Sequence, residues 1–306
     1  MTNRFFSLLL LLGCVLLPSF SSAAPHKIIT TFSILGDFVK AVGKDKVVIA
    51  IVGPNSDAHI YDPTPQDVKQ ISQADLIFVN GLDFEGWMER LIQCSGYKGD
   101  IVVASRGVPP RILSDPSEGE IIDPHAWHDI QYVQQYVRNI MDTLIAHDPA
   151  HKDYYKKNGE AYLEDLRQLD DWVKQEISKI PQDHRKIITA HDAFGYFGDR
   201  YGVTFLAPVG LSTNAEPTVQ AIVSLIKEIK KLNIKTIFVE NISNPKLIQQ
   251  ISEETQAKIG GVIYSDALSE AHEPGKDYLS LMRHNVSLFI EAMQEMTSPQ
   301  PNSALA

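Results

Sequence analysis

The sequence predicts an α/β protein of two lobes, each with a mainly parallel sheet flanked by helices, joined by one long rigid helix. Three observations carry this. Short runs rich in β-branched residues alternate with longer amphipathic stretches, the pattern of βαβ units. The runs fall into two groups of four, either side of a central region that has none. That central region is highly charged, with apolar residues recurring at helical spacing.

The chain opens on a segment expected to lie outside the fold. Arg4 supplies a positive start, Phe5 to Leu17 is almost wholly apolar, and Ser21, Ser22, Ala23 and Ala24 form a small-residue cleavage site. Residues 1–24 are therefore expected to be a signal peptide. A permanent span needs about 20 apolar residues, and this run ends at Pro18. Leu11-Leu12-Gly13-Cys14 also resembles the lipobox of bacterial lipoproteins. The apolar run continues past Cys14 and a cleavage site follows, so export to the periplasm is expected, with lipid anchoring at Cys14 the alternative.

Once Cys14 is removed only Cys94 remains, so no internal disulfide can form and the fold rests on its core. Cys94 is expected to be a small buried apolar residue. A mature chain of about 280 residues can bury a large core and suggests two domains. The 28 basic and 38 acidic side chains give a formal charge of −10, and loss of Arg4 makes it more negative. This balance argues against nucleic acid or an anionic membrane as partner.

The N-terminal lobe is expected over 25–148. Its strands are Lys27–Phe32, Val47–Val52, Leu76–Asn80 and Ile101–Ala104, with helices at Ser33–Val42 and Thr64–Ser72. Asp129–His147 reads as one more helix, with Asp129 as cap and Pro149 as stop. Residues 149–180 form the linker, where Tyr155, Tyr162, Leu166, Leu169, Trp172, Val173 and Ile177 recur at helical spacing. About 28 helical residues reach roughly 42 Å, enough to act as a strut between lobes. Two shorter helices broken at Asn158-Gly159 are the alternative. The C-terminal lobe is expected over 181–297, with strands Lys186–His191, Val203–Ala207, Thr236–Glu240 and Gly261–Ser265. Its helices are Thr218–Leu232 and Pro245–Gln256, and 298–306 is expected to be a disordered tail.

Four residues stand where chemistry is expected. His59 lies in the loop Ser56-Asp57-Ala58-His59-Ile60-Tyr61-Asp62-Pro63-Thr64-Pro65, between a strand and a proline-primed helix. His125 lies in Asp123-Pro124-His125-Ala126-Trp127-His128-Asp129, just before another helix. His191 and Asp266 each end a predicted strand of the second lobe. Ligands of parallel α/β sheets bind beyond the carboxyl ends of the strands, so four such donors can converge between lobes. Three neutral imidazoles and one carboxylate suit zinc, manganese or iron. Taken singly, each histidine reads more readily as a satisfied structural residue, and Asp266 equally as a cap or turn former. Glu240, Glu216 and Asp62 are acidic residues that could orient an imidazole. His128 is expected beside the site or at the surface, and His26, His147, His151, His184, His272 and His284 at the surface.

Together the four segments resemble one family. The His59 loop, Asp123-Pro124-His125-Ala126-Trp127, His191-Asp192-Ala193-Phe194-Gly195-Tyr196-Phe197 and Tyr264-Ser265-Asp266 are similar to motifs of the metal-binding solute-binding proteins of ABC importers for zinc and manganese, sometimes called cluster A-I. The motifs stand in the family's order, 66, 66 and 75 positions apart, and the resemblance covers nearly the whole mature chain. It implies one ion held between the lobes as cargo, with His59 and His125 from the first lobe and His191 and Asp266 from the second. It also implies an ABC permease as partner and no catalysis; a monomer is expected.

Two clues to the metal disagree. Manganese-selective members often place Glu where this chain has His191, whereas zinc-specific members often carry a histidine-rich loop that Ser105 to Asp123 lacks. A manganese or zinc binder is expected, with manganese favoured. The rival readings are a zinc hydrolase and a binder of a chelated metal or other small solute. The first would need an open coordination position and a base, and no His-Glu-x-x-His motif is present. The second would need an aromatic- or arginine-lined cleft. Nothing supports adhesion directly.

Overall fold

The computed structural model describes residues 27–115 and 119–296. The expected signal peptide with Cys14, His26 and the expected tail all lie outside them.

The first half is built from β1 (Lys27–Phe32), α1 (Ser33–Gly43), β2 (Val47–Val52), α2 (Pro65–Ser72), β3 (Leu76–Val79), α3 (Met88–Ser95) and β4 (Asp100–Val103). Its sheet has four parallel strands in the order β2-β1-β3-β4. The central strands β1 and β3 are buried on both faces, and Leu76–Val79 accordingly reads as a continuous apolar run rather than an alternating one. The edge strands leave Val47, Ile101 and Val103 exposed. Helix α2 begins where Thr64 and Asp67 form a reciprocal capping box, with Pro65 in the first turn. Cys94 is exposed, contrary to expectation. It lies in the last turn of α3, which buries only Met88 and Leu91.

Two further strands, β5 (Arg111–Asp115) and β6 (Gly119–Asp123), pair antiparallel, and neither was among the expected strands. Helices α4 (Ile130–His147) and α5 (Lys152–Ser178) follow, and Asp129 caps α4 by accepting from the Gln131 N–H at 2.8 Å. Helix α5 runs 27 residues without a break at Gly159. A Cβ on Gly159 would fall 2.6 Å from Met141 Sδ, so the glycine serves close α4–α5 packing rather than a turn. Each end of α5 is tied down. Asp148 accepts from Tyr155 Oη at 2.7 Å, and Asp170 accepts from Tyr201 Oη at 2.8 Å and Arg200 Nη2 at 3.0 Å.

The second half contains β7 (Lys186–Ile188), α6 (Gly195–Tyr201), β8 (Thr204–Leu206), α7 (Val219–Leu232), β9 (Thr236–Glu240), α8 (Lys246–Thr255), β10 (Lys258–Ile263) and α9 (Tyr278–Glu295). Its strands form two parallel pairs, β7–β8 and β9–β10, instead of one four-stranded ladder. The first pair is only three residues long, and the second shifts register between Ile259 and Val262, where Gly261 takes a φ of +128°.

The main core is continuous across both halves. It runs from Ile28 and Phe32 through Trp127 to Phe194, Phe197 and Phe289, while a smaller cluster lies beneath α7 and α8. The halves are therefore joined by shared apolar packing as well as by α5, and wide hinge opening would expose that core to water.

Candidate metal centre

Each of the four singled-out residues follows a strand, three of them within three positions of its end and His59 seven positions on. His59 follows β2, His125 follows β6, His191 follows β7 and Asp266 follows β10. Local hydrogen bonds fix each one. Asp57 Oδ1 accepts the His59 N–H at 2.9 Å, and the Ala58 carbonyl accepts from Trp87 Nε1 at 2.8 Å. Asp123 Oδ1 accepts both the His125 N–H at 3.0 Å and His125 Nδ1–H at 2.8 Å. Glu240 Oε1 accepts the N–H groups of Ala190 and His191, at 2.8 and 2.9 Å, and Oε2 accepts His191 Nδ1–H at 2.5 Å. The Asp266 segment is held by Ser265 Oγ, which donates to Glu240 Oε2 at 2.7 Å, and by Trp127 Nε1, which donates to the Ser265 carbonyl at 2.9 Å.

A carboxylate can only accept, so Asp123 and Glu240 place the Nδ1 hydrogens of His125 and His191 outward and leave both Nε2 atoms facing the centre. One donor atom from each of His59, His125, His191 and Asp266 lies within 4.8 Å of all the others. His59 Nε2 is 3.2 Å from His125 Nε2 and 3.2 Å from Asp266 Oδ2. His191 Nε2 is 3.2 Å from Asp266 Oδ2, and His125 Nε2 is 3.7 Å from Asp266 Oδ1. Four donors around an ion at about 2.0–2.2 Å would stand roughly 3.3–3.6 Å apart as the edges of a tetrahedron. The spacing fits.

The orientation fits as well. His191 Nε2 and both Asp266 oxygens are buried and form no hydrogen bond despite their proximity. Such orphaned groups are costly. Three unpartnered polar atoms within one buried cluster are what a shared cation would satisfy. Phe84 and Trp127 wall the centre, with ring centroids 4.8 Å from His59 and 5.2 Å from His125.

Charge follows from these contacts. Burial pushes the Asp266 carboxyl up, but the neighbouring His191 and His125 outweigh it and hold the group well below the carboxylate range. Burial pushes His191 down, yet Glu240 and Asp266 on either side raise it well above the ordinary imidazole value. Burial dominates at His59 and keeps it low, hence neutral.

Several expectations need correcting. Asp62 is exposed and pairs with Arg90 at 2.9 Å, so it orients no imidazole. Glu216 is exposed; Glu240 and Asp123 do the orienting. His128 is fully buried, with its ring 4.3 Å from that of Phe194 and both nitrogens unpartnered. Burial pushes it down to about 3, so it is a neutral part of the core. The other described histidines are exposed or half-buried, as expected.

The family model described as the periplasmic component A of a zinc-uptake complex matches residues 28–292. The chain belongs to this family. The manganese-binding lipoprotein MntA of Halalkalibacterium halodurans is 33% identical over 271 residues, covering 88% of this chain and 89% of the relative. The iron-binding protein YfeA of Yersinia pestis is 34% identical over 269 residues, covering 87% and 85%. The periplasmic zinc-binding protein TroA of Treponema pallidum superposes with a TM-score of 0.82 at 28% identity, covering 87% of this chain and 98% of TroA. The family is one of metal-binding solute-binding proteins of ABC importers, and its relatives carry manganese, iron or zinc in their names.

Proposed function

We propose that this chain captures one divalent transition-metal ion outside the cytoplasm and delivers it to an ABC importer permease, with His59, His125, His191 and Asp266 as its ligands. The observation that carries the reading is the convergence of four buried donors, from four distant segments, that make almost no hydrogen bonds to one another. The N-terminal lobe through 148, the linker 149–180 and the C-terminal lobe from 181 are the proposed units, and the protein acts as a monomer. It performs no catalysis: four protein ligands leave no open position for a substrate.

Manganese or zinc is the proposed cargo. Manganese is favoured because 105–123 carries no histidine to gather zinc, while intrinsic affinity alone favours zinc in any such site. Protein purified without added metal is expected to carry close to one equivalent of transition metal by elemental analysis. Tight binding of an organic solute with no metal would contradict the reading. Relatives named as lipoproteins give weight to anchoring at Cys14 beside plain cleavage after Ala24. The mass of the mature chain separates the two. Among the described residues no helix is long and apolar enough to cross a membrane.

The pH dependence differs from that of free imidazole. Because the folded value of His191 is raised, its Nε2 keeps a proton at neutral pH in the metal-free protein, and the ion must displace it. Binding at pH 7 is therefore expected to release about one proton per ion, and affinity should climb with pH until the raised His191 value is passed. His59, already neutral, releases none. Weakening accordingly begins well above the pH of about 6 that unperturbed histidines would give. Calorimetric titration in two buffers of different ionisation enthalpy reads the proton directly; a count of zero would contradict this.

A further inference from the structure

The His125 side and the His191 side of the centre meet on one ion pair outside it. Arg111, at the start of β5, donates from Nη1 to Asp123 Oδ2 at 3.0 Å and from Nε to Asp199 Oδ2 at 2.9 Å. Its backbone N–H donates to Tyr196 Oη at 2.8 Å, and that hydroxyl donates to the Asp123 carbonyl at 3.2 Å. Asp123 is the carboxylate that holds His125, whereas Tyr196 and Asp199 belong to α6, which opens at Gly195, shortly after His191.

Gly195 itself lies flat on the pair. A Cβ there would stand 2.4 Å from Arg111 Nη1, 2.5 Å from Cζ and 2.8 Å from Asp123 Oδ2. The segment after His191 is thus seated directly on the guanidinium that restrains the carboxylate of His125. Two surface cavities of about 370 and 380 Å³ flank the Arg111–Asp199 link and are lined by both residues, so water reaches the seam from either side. A guanidinium serves two carboxylates at fixed angles, a job an ammonium point charge cannot duplicate.

We propose that Arg111 is a positioning residue for metal capture. Through Asp123 it fixes His125, and through Gly195, Tyr196 and Asp199 it seats the segment that carries His191, so ligand alignment and closure of the cleft occur as one event. Opening the cleft on this face requires Asp199 to leave Arg111, which makes the fork a determinant of metal release. The inference rests on the four-residue centre proposed above.

The test uses Co²⁺, whose visible absorption reports ligand geometry, and stopped-flow release into excess chelator. Arg111→Met is expected to release Co²⁺ roughly 10–100-fold faster, the usual consequence of losing a group that orients a ligand, and to change the absorption bands. Arg111→Lys retains a cation for Asp123, so its bands should match wild type while release remains faster. Asp199→Ala should behave like Arg111→Lys, and its side chain is 71% exposed, so folding is not at risk. In metal-free protein, amide exchange in 195–201 should quicken in both Arg111→Met and Asp199→Ala, a readout independent of the ion. Release from Arg111→Met and Asp199→Ala within twofold of wild type would overturn the role of Arg111 while leaving the centre standing. A wild-type chain that takes up no Co²⁺ would overturn the centre, and this inference with it.

Discussion

Replacing Asp266 with asparagine is expected to weaken metal capture by about 3–5 kcal/mol, the cost of removing one partner from a buried charge pair. This corresponds to roughly two to three and a half orders of magnitude in Kd. Asp266 is the only anion among the four donors and is wholly buried. The three imidazoles would remain, but the divalent charge would then be buried with no ligand of opposite sign. The same substitution should also lower the melting temperature of the metal-free protein at neutral pH. Burial alone would raise the Asp266 carboxyl, but His191 and His125 hold it low, so its charge contributes stability that is present at neutral pH and lost as pH falls through the folded value. His191 keeps Glu240 as its partner in the variant. Isothermal titration with Mn²⁺ and Zn²⁺ together with calorimetric melting checks both; undiminished affinity would remove Asp266 from the ligand set.

Stripping the ion should destabilise the wild-type protein by a comparable amount. An ion that binds only the folded state contributes about 4 kcal/mol when its free concentration is a thousandfold above Kd. At about 2 °C per kcal/mol for a large domain, chelation should lower Tm by roughly 8 °C. The effect is expected because the ligands come from segments on both sides of the cleft, each already tied to its own lobe. Trp127 reaches across to the Ser265 carbonyl, and Tyr278 Oη reaches back to the Trp127 carbonyl at 2.6 Å, so the lobes stay in contact without metal. The metal-free form should therefore melt earlier yet still cooperatively. Identical melting curves before and after chelation would mean that no ion bridges the lobes.

Much of this was legible in the sequence because the relevant signals are local. A parallel strand buried on both faces leaves a continuous apolar run, as in Leu76–Val79, and the first polar residues beyond it mark the end of the sheet where ligands bind. His191 was found that way, His59 from its loop before a proline-primed helix, and Glu240 at the end of β9 could be suspected for the same reason as His191. The long helix was legible because the Tyr155–Ile177 stripe persists over many turns. Gly159 looked like a break only because its partner, Met141, lies in another helix.

The misses are tertiary in the same way. The β5–β6 pair is short, and Pro109-Pro110 before it reads as loop, so Arg111 gave no sign of its link to Asp123 and Asp199. Asp123 stood in plain view two positions before His125; an aspartate so placed can accept both the backbone and ring N–H groups, and that signal was available. The surface alternative for His128 failed because its burial depends on Phe194, from the far half of the chain. Asp62 lies close to His59 in sequence but points to solvent.

The most direct measurement is anomalous diffraction from crystals of the metal-loaded protein, collected at the absorption edge of the ion. The expected result is a single peak between the lobes, about 2.0–2.3 Å from the Nε2 atoms of His59, His125 and His191 and from an Asp266 oxygen. A peak that any one of these four does not reach, or an ion seated elsewhere on the chain, would contradict the centre described above.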